Sequence, residues 1–242
     1  MTKRLLHNAQ VIDPEAGTVS RGDIRIENGM ITQVSQSPLS ANPNEHAVDC
    51  HGKYLAPGII DIGVKVCEPG ERHKESFKSA GLAAAAGGIT TMVTRPDTTP
   101  AIDSPETLEF IARRANQATP VNVMAMAALT KGRNGREMSE IGFLIDAGAI
   151  AFTDCDHVVS NPKVFARALS YACALGALVI AHPQEPTLSK GAAATSGKFA
   201  SLRGLPADWR DGFPAGHFDL GGQPPSLPAN VHLHAVRIAT LC

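Results

Sequence analysis

The residues of this chain best suited to chemistry begin in the stretch "PGIIDIGVKVCEPG", residues 57–70. It reads as a buried strand from Ile59 to Val64 that leaves the core at a loop carrying Lys65, Cys67 and Glu68. Such a strand end is the mouth of an α/β enzyme, yet the positions that face the mouth hold Gly63, Lys65 and Cys67. Asp97, Asp154, Cys155 and His182 follow or end later apolar runs. A Cys155 thiolate and a His182 imidazole are zinc-ligand types, but together they make half a site, and two donors rarely hold zinc. Lys65 can be read as a nucleophile, or as an internal counter-ion for Asp61, Asp97 or Asp154. The second reading is the stronger, since a buried positive charge needs a partner. His232-Leu233-His234 has a tempting ligand spacing but lies far from the first of these strands and reads as exposed. His73 and His157 read as loop surface residues.

The elements that must position these residues are legible from periodicity. Residues 1–55 alternate apolar and polar positions between turn signals, which predicts a small β unit. "RLLHNAQVID" is one strand, "GDIRIENGMITQVS" a hairpin around Asn28-Gly29, and "HAVDCHGKYLAP" a third piece. From Pro57 short apolar runs alternate with amphipathic helices. Strands are expected at 59–66, 88–94, 121–128, 149–153 and 177–182, and helices at 74–86, 104–116, 137–147 and 162–175. Asp103-Ser104-Pro105 and Asn161-Pro162 offer N-caps followed by proline, and Gly87-Gly88 and Gly176 end helices. Such βα steps in series imply a parallel sheet, either open and doubly wound or an α/β barrel. No G-x-G-x-x-G follows the first strand, which counts against a dinucleotide fold.

Composition narrows the class. The 242-residue chain has a formal net charge of -1 and is 43% hydrophobic, so nothing favours nucleic acid or an anionic membrane as partner. The five cysteines show no CxxC spacing and read as reduced thiols of a cytoplasmic protein. The N-terminus carries no signal-peptide pattern, and no apolar run is long enough to span a bilayer. After Lys198 there is no further Lys and no Glu, and Gly, Pro and His become frequent.

The segments "YLAPGIIDIGVKVCEPGERHKESFKSAGLAAAAGGITTMVTRPDTTPAID", "GAIAFTDCD" and "LVIAHPQEPTL" resemble the dihydroorotase branch of the amidohydrolase superfamily, over roughly residues 4–207. The resemblance implies a (β/α)8 TIM-barrel-type metal-dependent hydrolase fold with a small N-terminal β-sandwich segment. It also implies a zinc centre at the strand ends and reversible cyclisation of carbamoyl aspartate to dihydroorotate. By that resemblance, residues 1–55 are the N-terminal part of a composite sandwich, 56–206 the first five βα units of the barrel, and 207–242 an atypical tail, frameshifted or disordered. The barrel is then incomplete at its C-terminus, and the family's later ligand and catalytic Asp have no counterpart.

The family's metal and substrate positions map onto altered residues. Its first-strand His-x-His pair falls on Gly63 and Lys65, and its bridging Asp on Cys155; these are degenerate ligand positions, while His182 is a remnant ligand. Its substrate-binding Arg and Asn fall on Cys67 and Asp97. A Lys65 ammonium repels a cation: like unit charges about 4 Å apart at an effective dielectric near 20 repel by about 4 kcal/mol. No catalytic residue and no cofactor is therefore expected, although zinc serves the family. The reading is a non-catalytic dihydroorotase-like protein of pyrimidine biosynthesis that assembles with the aspartate carbamoyltransferase catalytic subunit, with homo-oligomers also open. The alternatives are an active metal-dependent dihydroorotase and a non-functional truncated product.

Overall fold

The computed structural model describes residues 3–182, 190–191, 193–195, 198–204 and 207–208. The chain divides into two compact units, one through Ile59 and one from Ile60. The first is a single sheet of β1 (Lys3–Asp13), β2 (Thr18–Glu27), β3 (Met30–Ser35), β4 (His46–Asp49) and β5 (Tyr54–Leu55). Its strand order is β3-β2-β1-β4, with β5 also paired to β1. The expected hairpin is present: Glu27 faces Met30 across Asn28 and Gly29, whose φ values of 53° and 80° are those a type I′ turn demands. Asn8 also has positive φ where the β1–β2 register shifts, and the buried Asp23 carboxylate accepts its N–H at 2.9 Å.

The second unit carries the alternating pattern. Its elements are β6 (Ile59–Val64), α1 (Phe77–Ala86), β7 (Ile89–Thr94), α2 (Pro105–Ala118), β8 (Asn122–Ala127), α3 (Ile141–Asp146), β9 (Ala149–Phe152) and α4 (Pro162–Ala174). The sheet order is β6-β7-β8-β9, and the β7–β8 and β8–β9 pairs are parallel. The expected strand at 177–182 is reduced to a parallel bridge between Phe152 and Val179, flanked by hydrogen bonds of Phe152 with Leu178 and Ile180. Further on, β10 (Ala194–Thr195) pairs with β11 (Ala207–Asp208) around α5 (Lys198–Arg203). The remainder of the atypical tail, with His232 and His234, lies outside the described residues.

Packing follows the strand alternation. Met92, Ala127 and Phe152 point to the face that the helices cover, where they join Phe77, Ile111 and Leu144 in the main core. Each large apolar side chain fully buried there contributes roughly 1.5–3 kcal/mol. Val93, Met126 and Ala151 point the other way and form a smaller cluster with Leu178 and Ile180. β6 departs from the expected buried strand: Ile59, Ile60 and Ile62 are 55%, 62% and 56% exposed. It is the edge of the sheet, and the sheet does not close among the described residues.

The helix ends show where local signals succeeded. Asn161 caps α4, its side chain accepting from the N–H groups of Lys163 and Val164. α1 starts later than expected because Ser76 and Ser79 form a reciprocal capping box. Ser104 stands at the N-cap of α2 without a capping hydrogen bond, its hydroxyl meeting Thr107 instead. α3 is shorter than the expected 137–147 because the preceding residues are used elsewhere: Thr130 bridges Met138, and Ser139 N–H donates to Leu129 O.

Candidate functional site

The ends of β6 and β7 and the loop after β9 meet at a polar cluster. Lys65, just beyond β6, places Nζ 3.1 Å from Asp97 Oδ2. Arg95, just beyond β7, places Nη2 3.3 Å from the same oxygen and 2.9 Å from Asp156 Oδ2. The backbone fixes this arrangement: Arg95 N–H donates to Val64 O at 2.9 Å, tying the two strand ends together. Asp97 is the buried member, its side chain 5% exposed, whereas Lys65 is 54% and Asp156 78% exposed. Lys65 thus pairs with one of the three carboxylates considered for it, but it is a half-exposed cation rather than a buried one.

Arg95 is the residue that sequence reasoning missed. Strand alternation offered a signal, since Arg95 continues the face of Thr91 and Val93 and so extends the inward cluster to the mouth. Its Nη2 hydrogen-bonds Asp156 Oδ2, and the Cys155 side chain lies close enough to favour its charge. Burial works against its charge, but Asp156, Cys155 and Asp97 outweigh that and hold it firmly protonated. Asp156 is correspondingly held below the usual carboxylate range by its hydrogen bond to Arg95. Burial pushes the Cys155 thiol up despite the opposing pull of Arg95.

The remaining candidates divide. Gly63 has φ of 98°, a conformation that favours glycine, and a Cβ built there would meet Arg95 Cδ at 4.0 Å. Cys67 is a free, half-buried thiol, and its carbonyl accepts Glu71 N–H at 2.8 Å. His182 lies near enough to Asp156 to favour its charged form. Cys50, Cys67 and Cys155 are free thiols. His73 is exposed in a turn, and exposed His157 places Nδ1 2.9 Å from Arg133 O.

Two buried carboxylates brace the loops behind this mouth. Glu68, expected on an open loop, is 5% exposed; it accepts from Phe77 N–H at 3.0 Å and from Arg114 Nε at 2.7 Å. Asp154, 3% exposed, accepts from both the N–H and the hydroxyl of Thr130, so it faces that loop and not Lys65.

The donor set does not fit a zinc centre. Among the described residues no group of three or more His, Cys, Asp or Glu is arranged to hold a metal ion. Gly63 offers no donor, and Lys65 and Arg95 are cations. No helix among the described residues is long and apolar enough to cross a membrane.

Comparisons with known proteins place this scaffold. The family model described as "Dihydro-orotase-like" matches residues 52–209. A dihydroorotase of Syntrophus aciditrophicus is 35% identical over 204 residues, covering 84% of this chain and 48% of the relative. A dihydroorotase of Geobacillus kaustophilus is 38% identical over 195 residues, covering 79% of this chain and 45% of the relative. The chain therefore spans about half the length of the curated relatives it matches. Among solved structures, the L-hydantoinase of Arthrobacter aurescens aligns with a TM-score of 0.66 at 20% identity, covering 78% of this chain and 42% of that one. That likeness shows the fold alone, an α/β barrel type of which the described strands form part. The chain belongs to the dihydroorotase-like family.

Proposed function

We propose that this chain is a non-catalytic dihydroorotase-like protein of de novo pyrimidine biosynthesis, and that it acts as an assembly partner of the aspartate carbamoyltransferase catalytic subunit. The observation that carries the first half is the ion-pair cluster at the strand ends. Two cations, Lys65 and Arg95, stand against Asp97 where the family resemblance puts a metal and its substrate contacts. A metal-bound water loses its proton near neutral pH only beside an ion held by neutral or anionic donors. A glycine, an ammonium and a guanidinium do not supply them.

The partner reading rests on an asymmetry. The scaffold keeps its core, its Asn161 cap and its braced loops, while the altered positions are those whose family role is chemistry. A scaffold kept folded without its site suits a binding role. The test is co-expression with the carbamoyltransferase, followed by size exclusion and light scattering. A specific complex should bury more than about 1,000 Å² and raise the chain's thermal midpoint as the partner exceeds the dissociation constant. Separate elution with no midpoint shift would remove the partner reading. A second reading, an active metal-dependent cyclic amidohydrolase, is favoured by the dihydroorotase names of the relatives; dihydroorotate turnover by the purified chain would establish it.

A further inference from the structure

Arg95 touches the end of β6, the end of β7 and the loop after β9, three segments that backbone pairing alone joins only in part. Its N–H donates to Val64 O, and Nη2 reaches both Asp97 and Asp156. Its aliphatic stem lies near Gly63, with Cδ 4.0 Å from where a Cβ at position 63 would stand. The charges also balance locally: Lys65 and Arg95 carry two positive charges, and Asp97 and Asp156 two negative. A divalent ion added to this cluster would face both cations at short range, with Asp97 Oδ1 as the one buried carboxylate oxygen without a partner among the four named residues. The exposed Asp156 pair contributes little by itself. The decisive contact is the one to Asp97, whose side chain is 5% exposed, because a buried carboxylate is costly unless it is paired.

We infer that Arg95 is the resident cation of this mouth, its guanidinium joining the strand ends electrostatically so that they hold together without a metal ion. A guanidinium suits the task because its Nη2 stands 3.3 Å from Asp97 Oδ2 and 2.9 Å from Asp156 Oδ2, a placement that the shorter lysine stem does not reproduce. The inference deepens the non-catalytic reading and rests on it in one respect, that the mouth has no requirement for zinc.

The experiment uses the full chain and its Arg95→Ala and Arg95→Lys variants, followed by thermal unfolding. Arg95→Ala should lower the midpoint by about 5 °C. Guanidinium chloride at about 20 mM should restore part of that loss by binding in the space left, whereas sodium chloride at the same ionic strength should not. Arg95→Lys should fall between the two and show no restoration, which keeps the test valid if Arg95→Ala fails to fold. An Arg95→Ala midpoint within about 1 °C of the unsubstituted chain, equal restoration by sodium chloride, or an Arg95→Lys chain as stable as the original would overturn the inference. Zinc and a chelator are tested separately on the unsubstituted chain. A midpoint that rises with zinc would refute the metal-free reading, while the guanidinium response of Arg95→Ala still reports on Arg95 itself.

Discussion

Asp97 and Asp154 both follow strands of the same sheet, and both are buried, yet they are satisfied in different ways. Asp154 accepts from the N–H and hydroxyl of Thr130, whose oxygen in turn accepts Gly135 N–H at 2.9 Å. Asp97 sets a single oxygen against Lys65 and Arg95, while its Oδ1 is buried and has no hydrogen-bond partner among the described residues. Arg95 Nε is in the same condition. Buried polar atoms are normally paired, and the Asp154 carboxylate meets that standard where Asp97 does not; Arg133 Nε and Ser139 Oγ, in the loop that Asp154 braces, are buried without a partner as well.

The largest effect should come from the brace. Asp154→Ala leaves the fully buried N–H and hydroxyl of Thr130 without their acceptor and should lower stability by about 3 kcal/mol in chemical denaturation. A loss as small as that of an exposed charge would erase the contrast between the two regions. Gly63→His, the change that reinstates a family ligand, should cost about 2 kcal/mol, because a side chain is forced into positive φ and toward Arg95. It should also leave the chain without stoichiometric zinc.

The two bracing carboxylates should show opposite pH dependence. Burial alone would raise Glu68, but the Arg114 and Phe77 hydrogen bonds and the charge of Arg72 outweigh it, so its carboxyl titrates below the usual range. Its contribution is then present above the unfolded value of about 4.3 and is lost as pH falls through the lower folded one. Burial raises Asp154, and the Thr130 donors only partly oppose this. Its contribution is present below the unfolded value of about 3.9 and declines as pH rises through the higher folded one. The stability advantage of the unsubstituted chain over Glu68→Gln should therefore shrink on acidification, and its advantage over Asp154→Asn should shrink toward neutral pH. Parallel trends in the two series would contradict this assignment. The smallest effect belongs to Asp156→Asn: the residue is 78% exposed, and the change should stay within about 0.5 kcal/mol.

What was legible in the sequence was local. Asn28-Gly29 fixes its hairpin through two adjacent residues, and Asn161 caps α4 through neighbours two and three positions away. The order of strands and helices followed from periodicity because one face of each element packs on a shared core. The misses needed distant partners. Glu68 is buried because Arg114, 46 positions on, meets it, and Asp154 turns away from the mouth because Thr130, 24 positions before it, supplies donors. Arg95 escaped notice for the same reason: its role exists only once Gly63, Asp97, Cys155 and Asp156 have been brought around it. The burial expected for β6 failed because no neighbour on its outer edge could be read from the strand itself.

The central claim is that the mouth is held by the chain's own cations and does no metal chemistry. Metal analysis and dihydroorotate turnover on a single purified preparation test it most directly. The expected result is no stoichiometric zinc after desalting and no turnover above buffer, with or without added zinc. About one tightly held zinc per chain, lost on His182 substitution and accompanied by dihydroorotate hydrolysis, would contradict it.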